Sequence, residues 1–248
     1  MLIDNPENQQ KIIDNFLEIS AFEGWSNESL RLAIIKSGID EKYLELLFED
    51  KIYSLISLIT RNYWDKLISI VNNNPDFIKL KISQKISYLI YNFITIDQKN
   101  KISHQRLLNF YLMPQGLIKS SSSTGLKPFL LALNQSYFVA DFMWNYIGDK
   151  STDINFFSKR IILSKIISRS FIFYLKNDDL SLLQKFIDDQ IVNILKFSSF
   201  KSQVKSNFYS LKNKVDDALS NSENFNFSIQ NFHKKIPFFR LINKNFFK

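Results

Sequence analysis

Apolar residues recur at three-to-four spacing along most of the chain and set out one helix after another. Residues 9–19 carry Ile12, Ile13, Phe16, Leu17 and Ile19 as a helical stripe. Ser26 is placed to cap a helix over 27–36, whose apolar positions are Leu30, Leu32, Ala33, Ile34 and Ile35. Gly38 ends that helix, and Asp40 can cap a short third one through Phe48. A long fourth helix is expected from Lys51 to about Asn74. Pro75 suits a first helical position, so 76–95 reads as one continuous fifth helix with Phe77, Ile78, Leu80, Ile82, Ile86, Leu89 and Ile90. Residues 102–112 form a sixth, and the run KSSSST at 119–124 is a loop. A seventh helix covers 127–147, an eighth 154–176, and a ninth begins near Leu180 and extends past Phe197. Residues 220–223 read as a linker before a short amphipathic segment at 225–248. The expected organisation is a three-helix unit at 1–50, a helical core at 51–219, and a linker with tail at 220–248.

Only five glycines and five prolines interrupt 248 residues, which favours an all-α fold. A chain of this length buries about 70–75% of its unfolded surface, enough for a sizeable core without staples. The absence of cysteine removes disulfides and thiolate chemistry and suits a reducing compartment. The start, MLIDNPENQQ, has neither the apolar run of a signal peptide nor the Arg-rich character of a transit peptide. The longest uncharged stretch near the middle, 128–140, falls well short of the ~20 apolar residues of a membrane span. These features give the expectation of a non-integral protein, from a bacterium or trimmed to its mature form. The net charge of +8 points to an anionic partner, either nucleic acid or a lipid surface.

Where the charge lies separates those two. Three short helices with a glycine turn have the spacing of a helix-turn-helix. Residues 38–52, GIDEKYLELLFEDKI, resemble the turn and third helix of the tetracycline-repressor superfamily. Yet within 40–50, Asp40, Glu41, Glu45, Glu49 and Asp50 stand against Lys42 alone, a balance of −4 on the element that would enter a polyanion's groove. No Arg, Asn or Gln sits there to read base edges. The unit is therefore expected to be structural, with no specific DNA binding.

Catalytic constellations are missing as well. His104 and His233 are the two histidines, and neither has a carboxylate or second histidine at helical ligand spacing. There is no G-x-S-x-G, no Gly-rich phosphate loop and no H-E-x-x-H, so neither an enzyme nor a cofactor is expected. Asp149 and Asp153 could reach a metal, but helix capping accounts better for both.

The tail carries the sharper charge. Residues 231–248, NFHKKIPFFRLINKNFFK, hold Lys234, Lys235, Arg240, Lys244 and Lys248 and no acid. From Pro237 onward, Phe238, Leu241, Ile242 and Phe246 can form one face opposite Arg240 and Lys244, and Phe239 is a further membrane-binding candidate. Such a segment suits an anionic membrane surface, with each basic residue adding about 1 kcal/mol near it. A terminal helix docked on the core would use the same stripe.

Residues 141–160, DFMWNYIGDKSTDINFFSKR, are the most informative stretch. Gly148 suits a helix C-cap, and Ser151, Thr152 or Asp153 can each cap the next helix. Capping leaves Trp144, Tyr146, Phe156, Phe157, Lys159 and Arg160 unexplained. The stretch resembles the pattern D-x-x-W-x-x-x-G-D-x-S-T-D-x-N-W-Y-[ST]-[KR]-R of the ubiquinone-biosynthesis accessory lipid-binding proteins, the ninth member of the coenzyme Q series. Phe156 and Phe157 stand where that family has Trp-Tyr.

The resemblance implies a repressor-like all-α fold without its DNA role, and a C-terminal membrane helix. It also implies a cavity for an isoprenoid quinone precursor or phospholipid, with Phe129, Leu130, Leu133, Phe138 and Ile162 as candidate wall residues. A helix as apolar as 161–174 can instead be central core or lie at a homodimer interface. The family's partner, the demethoxyubiquinone hydroxylase, is expected to dock on Met143, Trp144, Phe156, Phe157 and Arg160. Large aromatics beside an Arg at a capped turn also have hot-spot composition in their own right. Trp144 and Phe157 could equally close the core beneath the turn. The implied location is peripheral, on the cytoplasmic face of a bacterial inner membrane or the matrix side in a eukaryote. A lipid-sensing transcriptional regulator and a lipid-free structural adaptor are the alternatives.

Overall fold

A computed structural model describes residues 5–112 and 127–196, and every element among them is helical. The helices are α1 (Pro6–Glu23), α2 (Asn27–Lys36), α3 (Leu44–Leu47), α4 (Ile52–Asn72), α5 (Ile82–Thr95), α6 (Lys101–Leu112), α7 (Lys127–Tyr146), α8 (Asp153–Lys176) and α9 (Leu180–Lys196). Short 3₁₀ turns at Glu41–Tyr43, Pro75–Lys79 and Gln98–Asn100 join some of them. The loop expected at 119–124, the end of the ninth helix, the linker and the basic tail lie outside the described residues. The chain forms two compact units. Among the described residues one takes 5–112 with 167–187, the other 127–166 with 188–196.

The first unit starts where the chain can satisfy its orphan donors. Asn5 Oδ1 accepts from the Glu7 amide at 2.9 Å with Pro6 at the first position, so α1 begins three residues before the expected start at Gln9. Ser26 caps α2 through the Ser29 amide at 3.0 Å. Gly38, at φ 77°, closes α2 by accepting the left-handed conformation, its amide donating to Ile35 and the Ile39 amide to Ile34. The third helix is shorter than expected: a 3₁₀ turn capped by Asp40, then a single α turn that ends at Phe48.

Ile12, Ile13, Phe16 and Leu17 of α1, Leu30 and Ile34 of α2, Leu55, Ile56 and Leu67 of α4, and Leu89 and Ile90 of α5 make the core of this unit. Trp25 packs edge-on to Phe16 with ring centroids 4.8 Å apart, and its indole N–H donates to the Ser103 carbonyl at 2.8 Å.

The continuous fifth helix is corrected here. Leu80 and Lys81 are extended, with ψ of 146° and 155°, and they split 76–95 into a 3₁₀ turn and α5. The Gln84 side chain accepts from the Lys81 amide at 3.0 Å, which starts a new helix rather than prolonging the old one. Periodicity alone ran across this break because apolar residues continue on both sides.

His104, which sequence spacing left without a partner, is buried in a three-residue network. Tyr63 Oη donates to Asp97 at 2.5 Å and lies 3.0 Å from His104 Nε2. Burial pushes His104 down to about 4, against the opposing pull of Asp97.

Candidate functional site: the turn between α7 and α8

The second unit places the 141–160 motif at a closed turn. α7 ends at Tyr146, and the Gly148 amide donates to Asn145 while the Asp149 amide donates to Trp144, both at 3.0 Å. That paired closure, with Gly148 at φ 81°, is the expected glycine C-cap. At the start of α8 the Phe156 amide donates to the Thr152 carbonyl at 3.4 Å.

Asp149 does more than cap. Its carboxylate accepts from Lys159 Nζ at 2.7 Å, from Arg160 Nη1 at 3.3 Å, and from the Ser151 hydroxyl. Asp149 Oδ1 also accepts from the Ser151 amide at 3.4 Å, so the residue closes the turn and is at once an acid of a buried ion-pair cluster. Its side chain keeps 5% of its exposure and that of Arg160 none. Arg160 also donates to Asp141 through Nε, to Asn145 Oδ1 at 3.0 Å and to the Phe156 carbonyl at 3.1 Å, while its guanidinium carbon sits 3.3 Å from the Phe156 ring centroid. Two acids thus meet two bases, and the planar five-donor guanidinium satisfies several acceptors at once.

A rim of aromatics surrounds this cluster. Trp144 Nε1 donates to the Lys159 carbonyl at 3.2 Å, and Lys159 Nζ lies 5.0 Å from its ring centroid. Phe156 and Phe157 meet edge to face at 5.1 Å. Of the residues expected at a docking surface, Trp144, Phe156 and Phe157 are partly exposed, whereas Met143 and Arg160 are buried beneath them. The candidate wall residues all lie off the most buried stripe of the unit. Phe129 and Leu133 are 44% and 41% exposed, and Leu130, Phe138 and Ile162 are partly exposed. Phe138 packs edge-on to Phe142 at 4.3 Å. The membrane candidates Lys234, Lys235, Phe238, Phe239, Arg240, Leu241, Ile242 and Lys244 fall outside the described residues.

Sequence reasoning missed Asp141 and Asn145 as ligands of Arg160. The available signal was their i,i+4 spacing on α7, which puts both side chains on one helix face.

The cluster makes stability depend on acid. Burial by itself would raise the Asp149 carboxyl, but hydrogen bonds from Lys159 and Ser151 outweigh it and hold the group at about 2, below its ordinary 3.8. A folded pKa below the unfolded one contributes stability that is full above about pH 4 and disappears as pH falls toward 2, amounting to about 2 kcal/mol. His104 is also depressed, so its contribution is full above about pH 6.5 and is lost as pH falls toward 4. Thermal unfolding followed from neutral pH to about pH 2.5 is expected to fall in two separate ranges, and Asp149→Asn should flatten the lower one alone. An unchanged lower range in that variant would remove Asp149 from the account.

Residues 130–198 match the COQ9 family model. The chain is 25% identical over 210 residues to "Probable ubiquinone biosynthesis protein coq9, mitochondrial" of Dictyostelium discoideum, a match covering 79% of this chain and 62% of that protein. It is 22% identical over 206 residues to "Ubiquinone biosynthesis protein COQ9, mitochondrial" of Rattus norvegicus, covering 80% of this chain and 62% of that one. The chain thus spans about three fifths of the length of these relatives. The family match takes in the ion-paired turn and its aromatic rim, and with the two relatives it makes the chain similar to COQ9 proteins of ubiquinone biosynthesis.

Proposed function

We propose that this chain is a non-catalytic accessory protein of ubiquinone biosynthesis that binds a polyprenyl quinone precursor or phospholipid and presents it to the demethoxyubiquinone hydroxylase at a membrane surface. The observation that carries the reading is the rigid turn between α7 and α8: it holds Trp144, Phe156 and Phe157 over a buried ion-pair cluster, inside the region matched by the family. Rigid aromatics above a fixed turn have the character of a protein-docking surface. Phe129 and Leu133 on α7 supply exposed apolar area to the same unit.

Lipid handling has a plain physical purpose. Each CH₂ of an isoprenoid tail moved into water costs about 0.8 kcal/mol, so a carrier that shelters the tail lets the head group reach a membrane enzyme. Among the described residues no helix is long and apolar enough to cross a membrane, which suits a peripheral attachment. The basic tail at 231–248 is proposed to supply that attachment, and the mitochondrial names of the relatives support a mitochondrial location. A regulator reading is disfavoured by local neutralisation of the helix-turn-helix: Arg31 pairs with Glu28 and with Glu41, and Lys42 with Asp40.

The test is mass spectrometry of lipid extracted from the purified full chain, together with capture of the hydroxylase from the same organism. A polyprenyl quinone precursor or a defined phospholipid, with captured enzyme, supports the reading. Enzyme capture by lipid-free protein would leave a structural adaptor. A nanomolar, salt-resistant and sequence-selective DNA complex would replace the reading with a regulator.

A further inference from the structure

The corner between α4 and α5 displays an apolar wedge that no packing inside its unit explains. Ile78 is 80% exposed and Ile82 62%, among the most exposed large apolar side chains described. They are held outward by construction. Asn74 caps the 3₁₀ turn through the Asp76 amide at 3.1 Å, and Phe77 turns inward, buried, with its ring 5.6 Å from that of Tyr88. Anchoring Phe77 forces the next residue, Ile78, toward solvent. The extended pair Leu80 and Lys81 then turns the chain, so that α5 opens on Ile82 with Gln84 closing the new end.

Basic residues alternate with these isoleucines. Between 74 and 85 stand Lys79, Lys81 and Lys85 against the single acid Asp76, a balance of +2. Lys79 and Asp76 are both largely exposed at 2.8 Å, an ion pair that water screens. Lys85 Nζ lies 5.6 Å from the Phe77 ring centroid, which keeps it at the base of the wedge. Two exposed aliphatics ringed by lysines fit one environment better than others. Isoleucine offers nothing to a phosphate backbone or a base, but it gains by entering the acyl boundary while lysines meet anionic head groups.

We propose that the 78–82 corner is a second membrane-contact site, in which Ile78 and Ile82 enter the interface of an anionic bilayer and Lys79, Lys81 and Lys85 meet its head groups. This goes beyond the proposed lipid presentation and does not depend on the hydroxylase or on the basic tail. Contact by the first unit would orient that unit on a surface, where a tail alone would leave it tethered.

The absence of native cysteine makes the test direct. Full-length Ile78→Cys, labelled with a polarity-sensitive fluorophore, is mixed with phosphatidylcholine vesicles containing anionic phosphatidylglycerol. Leu46→Cys, 67% exposed on the acidic third helix, is the control. The label at 78 is expected to shift to the blue on vesicles while the label at 46 does not. In unlabelled protein, Lys79→Gln with Lys81→Gln should weaken vesicle partitioning about 5-fold per lysine at low salt, and much less at high salt. Ile78→Ser with Ile82→Ser, both exposed and so compatible with folding, should weaken it at every salt concentration. If the chain binds vesicles and the label at 78 stays as in water, the proposal is overturned. A blue shift that follows protein concentration without vesicles also overturns it, in favour of a second copy of the chain as occupant. Lipid extraction and hydroxylase capture remain separate readouts, so either reading can fail without the other.

Discussion

Arg160→Ala is expected to lower the stability of the unit that contains it by about 3–5 kcal/mol, since it removes one partner from a buried ion pair and leaves the other charged. Asp149 and Asp141 would lose their shared counter-charge, and the Asn145 and Phe156 acceptors would lose a donor. Lys159 would still pair with Asp149, so the loss falls hardest on Asp141. Arg160→Lys should recover only a fraction, because an ammonium is compact and cannot reach four acceptors arranged for a planar fork. Adding Asp141→Asn to Arg160→Ala should restore part of the loss, since the two residues share one network and their effects are not additive. Urea unfolding followed by circular dichroism measures all three variants. A loss below about 1 kcal/mol for Arg160→Ala would mean that water re-enters and satisfies the cluster at little cost.

How far the sequence carried depends on which interactions are local. Helix existence was legible throughout, because the apolar stripes of α1, α4 and α7 repeat in the chain itself. Caps were legible where one residue type forces the geometry, as Ser26, Gly38 and Gly148 do. The split at Leu80 and Lys81 was not, since apolar residues continue through it and the decisive contact is a single glutamine side chain folding back. Tertiary polar networks were the least legible. Tyr63, Asp97 and His104 are 41 residues apart at their widest, and nothing in local spacing marks them as neighbours. The turn at 141–160 was recognised as a motif, but its physical content was inverted in part. Arg160 reads as an accessible cation in sequence and is the largest fully buried side chain among the described residues, which makes it the support of the aromatic rim and not its outer edge.

That inversion decides which substitution tests docking. Phe156 shares a face with the Arg160 guanidinium and Trp144 is tied to α8 by its indole N–H, so truncating either disturbs the support as well as the surface. Phe157 contacts the rim through its edge-to-face pairing with Phe156 and holds no ion-pair partner, which makes Phe157→Ala the cleaner probe. The variant is expected to stay folded by circular dichroism. Capture of the hydroxylase should nevertheless fall by about 30-fold or more, the scale of a hot-spot residue worth about 2 kcal/mol. Lipid that copurifies should be unchanged, because the candidate wall residues Phe129, Leu130, Leu133 and Phe138 stand on α7 and the fifth, Ile162, lies more than a helical turn along α8 from Phe157. Phe157→Tyr, which places a hydroxyl where the resembled pattern has Tyr, should keep or tighten capture. If Phe157→Ala is folded and binds the enzyme at wild-type affinity, the docking surface lies elsewhere and the aromatic rim serves only to close the turn.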